Sequence, residues 1–155
     1  MTASSPRAPL VIWRDGAPPP RALAGAVVAI GNFDGVHRGH QALLRTARDL
    51  AGAMGRPAAA LTFEPHPRAF FGRDGAVFRL TPPDVKIACL ERLGFVDGVF
   101  VKSFDADLAA TSARGFVEDL LVGRLGAGGI VVGENFRFGR GREGERFQRA
   151  ADGFR

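Results

Sequence analysis

Residues 26–40 read Ala-Val-Val-Ala-Ile-Gly-Asn-Phe-Asp-Gly-Val-His-Arg-Gly-His, and this stretch decides the fold. Its first five residues are small or β-branched, which predicts a buried strand. The apolar residues after it recur at helical spacing, and they are Leu43, Leu44, Ala47, Leu50, Ala51 and Met54. The stretch therefore predicts a strand, a glycine-rich turn and a helix, the order found where a nucleotide binds at the carboxyl end of a parallel strand.

Two histidines, His37 and His40, are placed three residues apart, which puts them on one face of the first helical turn. A helix start offers unpaired N–H groups and the positive end of its dipole, and both favour a bound phosphate. Gly31, Gly35 and Gly39 carry no Cβ, so a bulky anion can approach the backbone. The alternative is a chance turn in which one histidine caps the helix and the other is half-buried.

The rest of the chain alternates between predicted strands and helices. Strands are predicted over 26–33, 57–63, 96–101 and 128–133, and helices over 38–54, 81–93 and from Thr111 or Ser112 onward. Thr81 is the predicted N-cap of the second helix, with Pro82 in its first turn. Strands apolar on both faces predict an α/β fold, a parallel sheet with helices on both faces. Because no strand is predicted after residue 133, the domain is expected to be truncated at its C-terminus.

A chain of 155 residues with 46% hydrophobic content can form one domain with a substantial core. We place that domain at residues 26–155. The proline-rich segment 1–25 before it is predicted to be a tail or to form an edge strand around residues 10–14. Trp13 in this segment is predicted to be a packing anchor.

The net charge of +5 comes almost entirely from arginine, since Lys86 and Lys102 are the two lysines. Arginine favours a phosphorylated ligand, although a GC-rich coding sequence gives the same bias. The absence of a run of five like charges argues against a nucleic-acid-binding arm. Cys89, the single cysteine, is predicted to be a small buried hydrophobic residue, and it fits a reducing compartment. With no apolar stretch typical of a signal peptide or a membrane helix, we expect a cytoplasmic protein.

Two further segments follow predicted strands. The first, Leu-Thr-Phe-Glu-Pro-His-Pro over 61–67, has prolines that fix an extended exit and could present Thr62, Phe63 or His66 to a ligand. The alternative is a stiff loop with an exposed histidine. The second covers 132–144 and contains Asn135, several arginines and several glycines, which can contact phosphate and form a closing loop. A solvated basic loop is its alternative, with Phe136 and Phe138 in the core.

Together the three segments resemble the FMN adenylyltransferase module of prokaryotic bifunctional riboflavin kinase/FAD synthetases. The shared patterns are Gly-x-Phe-Asp-x-x-His-x-Gly-His, Thr-Phe-(Glu/Asp)-Pro-His-Pro and Val-Gly-x-(Asp/Asn)-Phe-x-Phe-Gly, and they span residues 26–144. The resemblance implies a Rossmann-like nucleotidyltransferase fold, with ATP and FMN as substrates and Mg²⁺ carried by the nucleotide. The serine- and threonine-rich segment ending in arginine that follows in the family has no match in 145–155, and we expect no riboflavin kinase module in this chain.

The resemblance also implies roles for individual residues. His37 and His40 would be catalytic, stabilising charge on the α-phosphate and on the leaving pyrophosphate. The implied ATP-binding residues are Gly31, Asn32, Phe33, Asp34 and Gly39, and the implied FMN-binding residues are Thr62, Phe63, His66, Asn135 and Arg137. Asp34 would orient the loop or a metal-bound water. A cytidylyltransferase, a pantetheine-phosphate adenylyltransferase and a non-catalytic flavin- or nucleotide-binding module are the alternatives.

Overall fold

The protein has one five-stranded sheet in the computed structural model, which describes residues 8–64 and 82–133. The strands are β1 (Val11–Arg14), β2 (Val27–Ile30), β3 (Ala58–Glu64), β4 (Gly98–Ser103) and β5 (Gly129–Val132). They lie in the order β1-β4-β3-β2-β5, and every neighbouring pair is parallel. The predicted parallel sheet is confirmed.

The described helices connect these strands. They are α1 (Arg38–Met54), α2 (Pro83–Leu93), α3 (Ala106–Ala109) and α4 (Ala113–Gly115), which continues as a π-helical segment (Phe116–Arg124). Two 3₁₀ turns, Arg21–Leu23 and Asp34–Val36, precede β2 and α1 respectively. None of the helices in the described ranges is long and apolar enough to cross a membrane.

The sheet separates two hydrophobic clusters. Val27 and Ala29 of β2 pack in one cluster with Leu44 of α1, whereas Val28 and Ile30 pack in the other cluster with residues of the π-helical segment. Because side chains alternate between the faces of a strand, the two clusters lie on opposite faces. This confirms that helices cover both faces.

Most differences from the predicted boundaries have a local cause. The first predicted strand, 26–33, ends at Ile30, because Phe33 takes a left-handed conformation with φ 52°. Helix α2 begins at Pro83 with Pro82 as its N-cap, so the prediction that put Pro82 inside the first turn is wrong by one residue. The predicted cap Thr81 lies outside the described residues.

The N-terminal segment contributes the edge strand β1, one of the two predicted alternatives. β1 pairs with β4, and Trp13 is 1% exposed against Phe100, which confirms it as a packing anchor. In helix α2, Val85 is 46% exposed, and Cys89 is partly buried against the hydrophobic cluster that contains Leu90, so the predicted burial of this cysteine is confirmed only in part.

The strand order reverses direction at β2. From β2 the chain proceeds through β3 to β4 on one side, and it later returns to place β5 on the other side. The helix after β2 lies on one face and the π-helical segment before β5 lies on the other. Ligands of open α/β sheets bind at the carboxyl ends of the strands beside such a reversal.

Candidate functional site

A loop at the carboxyl end of β2 occupies this position. The glycine–histidine loop, residues 31–40, begins where the Gly31 N–H donates to the Leu61 carbonyl at 3.1 Å. The loop then makes the turn Asp34–Val36 and enters α1. Phe33 and Val36 both have positive φ, 52° and 39°, although neither is glycine. Such strain persists only where surrounding contacts hold it, and it is found most often at binding sites.

The two histidines of the loop are stacked, with ring centroids 3.6 Å apart and planes 19° from parallel. His37 is the N-cap of α1 and does not lie within the first helical turn, so that detail of the prediction is wrong. Its Nδ1 accepts the backbone N–H of His40 at 3.4 Å. Because Nδ1 acts as an acceptor, the neutral ring carries its proton on Nε2 and can donate it outward to a ligand.

His40 is half-buried beneath His37. Its ring meets the edge of Phe33 at a centroid distance of 5.3 Å. Burial lowers the pKa of His40 to about 4, and the charges of His37 and Lys86 act in the same direction while Asp34 opposes them. His40 is therefore neutral at pH 7 and has one N–H to donate.

Two buried polar atoms at this site have no hydrogen-bond partner within the part of the chain that the structure describes. They are Nδ1 of His40 and Oδ1 of Asn32. An unsatisfied buried polar atom costs stability unless a ligand or water completes it. The arrangement of the chance-turn alternative, a capping His37 above a half-buried His40, is present in the structure. That alternative explains the cap, but it does not explain the two unsatisfied polar atoms.

Two glycines let the loop close on its aromatic rings. A Cβ on Gly31 would lie 3.3 Å from Cζ of Phe33, and one on Gly39 would lie 3.1 Å from Cε1 of His37. Phe33 itself is fully buried and supports the loop from below. These placements fit the predicted shaping of a nucleotide cradle.

Two of the predicted FMN-binding residues lie at the end of β3 in buried positions. Thr62 and Phe63 are each 1% exposed. Phe63 packs against Phe104 and Phe116, on the opposite face of the sheet from Thr62, so it is a core residue. The Thr62 hydroxyl donates to the Asn32 carbonyl at 3.1 Å. Contact of Thr62 and Phe63 with FMN stays a prediction.

The remaining three predicted FMN-binding residues, His66, Asn135 and Arg137, lie outside the described residues.

Lys86 of α2 is a residue of this site that the sequence reasoning missed. It is 5% exposed, and its Nζ donates to Thr62 Oγ1 at 3.1 Å and to Glu64 Oε1 at 2.8 Å. A lysine is seldom this buried without a paired role. The available signal was its position: Lys86 is one helical turn before the buried Leu90, on the inward face of the helix.

No group of three or more metal-binding side chains is found in residues 8–64 and 82–133. Mg²⁺ is usually held by one or two carboxylates together with substrate phosphates, so a complete protein cage is not required. Asp34, whose charge acts on His40, supplies one carboxylate in the loop. The residues present thus fit a metal ion that arrives with a nucleotide.

The parallel sheet, with stacked histidines at its strand reversal, is consistent with a Rossmann-like nucleotidyltransferase fold. The chain belongs to the FAD synthetase family, whose profile matches residues 20–152.

Curated relatives support this assignment. Over 121 residues the chain is 45% identical to the bifunctional riboflavin kinase/FMN adenylyltransferase of Escherichia coli K12, covering 78% of this chain and 38% of the relative. The Bacillus subtilis enzyme of the same name is 37% identical over 118 residues, covering 76% and 37%. The chain thus spans less than half the length of these relatives.

A solved structure supports the fold alone. A protein from Streptococcus pneumoniae whose structure is titled a macrolide-efflux protein superposes with a TM-score of 0.74 at 24% identity, covering 92% of this chain and 56% of that one.

Proposed function

We propose that this chain is the FMN adenylyltransferase module of an FAD-forming enzyme and transfers AMP from ATP to FMN. The observation that carries the proposal is the stacked pair His37 and His40 at the carboxyl end of β2, with an unsatisfied Nδ1 on His40. The relatives named for riboflavin kinase and FMN adenylyltransferase activities support the choice of substrates.

The reaction is a single in-line displacement. A terminal phosphate oxygen of FMN attacks the α-phosphorus of ATP and forms the new P–O bond. The bond from the α-phosphorus to the oxygen bridging to the β-phosphorus breaks, and pyrophosphate leaves with the electron pair. Since the nucleophile is already an anionic oxygen, no protein base is needed, and catalysis consists of positioning two polyanions and stabilising charge.

The loop residues divide this work. His37 donates from Nε2 and His40 donates from its one N–H to phosphoryl oxygens, and the neutral His40 ring can stack on His37 without the repulsion of two adjacent cations. Asn32 Oδ1 is an acceptor, so it suits a hydroxyl or amino group of the nucleotide and not a phosphate oxygen. Gly31 and Gly39 leave room for the phosphates.

We extend the proposal to Mg²⁺, bound to the triphosphate and approached by Asp34. The bound ion would neutralise phosphate charge.

The proposal also includes a cytoplasmic location and no nucleic-acid partner. Cys89, the single cysteine, is a free thiol, which suits a reducing compartment.

The test measures FAD and pyrophosphate formed from ATP, FMN and Mg²⁺ by the 155-residue chain, and ATP and FMN binding by calorimetry. The His40→Ala variant should lose about 10²- to 10³-fold in turnover, the cost of one lost transition-state donor. Unchanged turnover in a folded His40→Ala variant would remove His40 from the mechanism.

Other outcomes separate the alternatives. Stoichiometric ATP binding without pyrophosphate release would identify a binding module. Transfer from CTP, or to phosphopantetheine but not FMN, would identify another nucleotidyltransferase. No heat with either ATP or FMN on folded protein would refute the proposal.

A further inference from the structure

Lys86 and Lys102 are the two lysines among 21 basic residues, and the structure buries both. Each forms an ion pair at the carboxyl edge of the sheet, Lys86 with Glu64 at 2.8 Å and Lys102 with Asp15 at 3.0 Å. Burial of a charge is costly unless good geometry repays it, so each ion pair requires a structural reason. The two lysines differ in what they join.

Lys102 joins the edge strand to its neighbour. Asp15, which follows β1, accepts hydrogen bonds from Lys102 Nζ at 3.0 Å and from the Ser103 N–H at 2.8 Å, and both of these donors belong to β4. These contacts hold β1 in the sheet and do not involve the glycine–histidine loop.

Lys86 is instead connected to that loop through one side chain. Its ammonium donates to Thr62 Oγ1, and the same hydroxyl donates to the Asn32 carbonyl at 3.1 Å. Accepting from an ammonium polarises a hydroxyl and strengthens the hydrogen bond that it donates. Glu64 Oε1 accepts a second hydrogen bond from the ammonium and so fixes its position against β3.

The segment held in this way is the strained one. The Asn32 carbonyl immediately precedes Phe33, whose φ is 52°, and Val36 follows with φ 39°. Helix α2 packs directly on the Asp34–Val36 turn. A loop with unfavourable backbone angles needs external contacts to keep one conformation.

We propose that Lys86 is a positioning residue, which holds the glycine–histidine loop in its nucleotide-binding conformation through Thr62. The part of this inference that concerns ATP rests on the proposed function. The part that concerns the loop does not, because the hydrogen bonds exist without ligand. Lys86 acts through Thr62 and does not itself contact the nucleotide.

The experiment compares the wild-type chain with Lys86→Met, Thr62→Val and the matched control Lys102→Met. Amide hydrogen exchange reports on the loop through Gly31 and Val36, whose N–H groups donate to Leu61 and Phe33. The Val27 N–H, which donates to Pro57 at the opposite end of β2, is the reference. Calorimetry gives the dissociation constant for ATP. Urea unfolding at the same temperature shows whether every variant is folded under the conditions of the assay.

Lys86→Met and Thr62→Val should each speed exchange at Gly31 and Val36 relative to Val27. Each should weaken ATP binding by about tenfold, as expected for loss of one well-made contact. Lys102→Met should leave loop exchange and ATP affinity unchanged, even where it lowers stability.

Unchanged loop exchange in both Lys86→Met and Thr62→Val would overturn the proposal. An ATP effect in Lys86→Met alone would also overturn it, since Lys86 would then act by its charge and not through Thr62. If the wild-type chain does not bind ATP, the proposed function fails, and the exchange rates still decide whether Lys86 holds the loop. Thr62→Val keeps the test decisive should Lys86→Met not fold.

Discussion

Gly39 has no side chain and therefore leaves room for the ring of His37. A Cβ there would lie 3.1 Å from Cε1 and 3.2 Å from Nδ1 of His37. Gly39→Ala should therefore displace this ring from its stack on His40 and weaken ATP binding in calorimetry. Alanine is the better helix former by about 1 kcal/mol, so urea unfolding should show equal or higher stability.

Gly52→Ala is the matched control for this prediction. Gly52 lies in the same helix, and a Cβ there would meet nothing within 4 Å. The Gly52→Ala substitution should raise the free energy of unfolding by about 0.5–1 kcal/mol without changing ATP affinity. Equal ATP affinity in both variants would contradict the assigned role of Gly39.

Titration of His40 should make stability depend on pH. Its pKa is about 4 when folded against an ordinary 6.5, so the unfolded chain binds a proton more readily between these values. The contribution of His40 is complete above pH 6.5 and is lost as pH falls to 4. The expected loss is about 1–2 kcal/mol, less than the full shift would give, because a half-exposed ring is screened by solvent.

The measurement is urea unfolding of the wild-type chain and His40→Gln at several pH values from 7 to 4. The difference between the two proteins isolates His40 from other groups, including Asp15, whose pKa is raised by burial but lowered overall by hydrogen bonds from Lys102 and Ser103. A difference that does not change with pH would refute the lowered pKa, as would an NMR titration of His40 near pH 6.5.

Contacts between residues close in sequence could be predicted, whereas contacts that depend on how distant elements pack could not. The pairing of His37 with His40 was predictable because both lie in one short segment. Thr62 and Lys86 are 24 positions apart, and their hydrogen bond depends on how α2 packs over β3. The motif that contains Thr62 and Phe63 predicted ligand contacts, but alternation along β3 sends one side chain under the loop and the other into the opposite core.

At the scale of elements, strong local signals predicted boundaries well. Helix α1 spans the predicted residues 38–54, and Gly55, with φ 65°, is its C-cap. The winding after Gly115 was not predictable as π-helical, since its buried residues also fit an α-helix. The buried residues come in the groups Phe116–Val117 and Leu120–Leu121, followed by Leu125, and each group begins four or five residues after the one before it.

The junction of β1, β4 and the first 3₁₀ turn depends on Gly98, the first residue of β4. A Cβ there would lie 2.5 Å from Cδ1 of Leu23 and 2.8 Å from the Val11 carbonyl oxygen. Gly98→Ala should overpack this junction and lower the free energy of unfolding by about 1–3 kcal/mol in urea. Stability equal to or above that of the wild-type chain would show that Leu23 and β1 move aside freely.

At the scale of the whole molecule, we expect the edge strand and the glycine–histidine loop to belong to one cooperative unit. Trp13 of β1 is buried against Phe100 of β4. The guanidinium of Arg124, at the end of the π-helical segment, lies 5.7 Å from the centroid of the Trp13 ring. β4 pairs in turn with β3, whose end supports the glycine–histidine loop. These contacts connect β1 through β4 and β3 to the glycine–histidine loop, so we expect local loss of β1 to be coupled to loss of the core.

Trp13 is the single tryptophan, so its fluorescence reports on the sheet edge, while far-UV circular dichroism follows all helices. The two urea transitions should have the same midpoint. Saturating ATP, if it binds the loop, should raise both midpoints together, because a ligand that binds only the folded state stabilises the whole cooperative unit. A fluorescence transition at lower urea, unmoved by ATP, would instead show that β1 detaches independently and that the edge strand does not support the site.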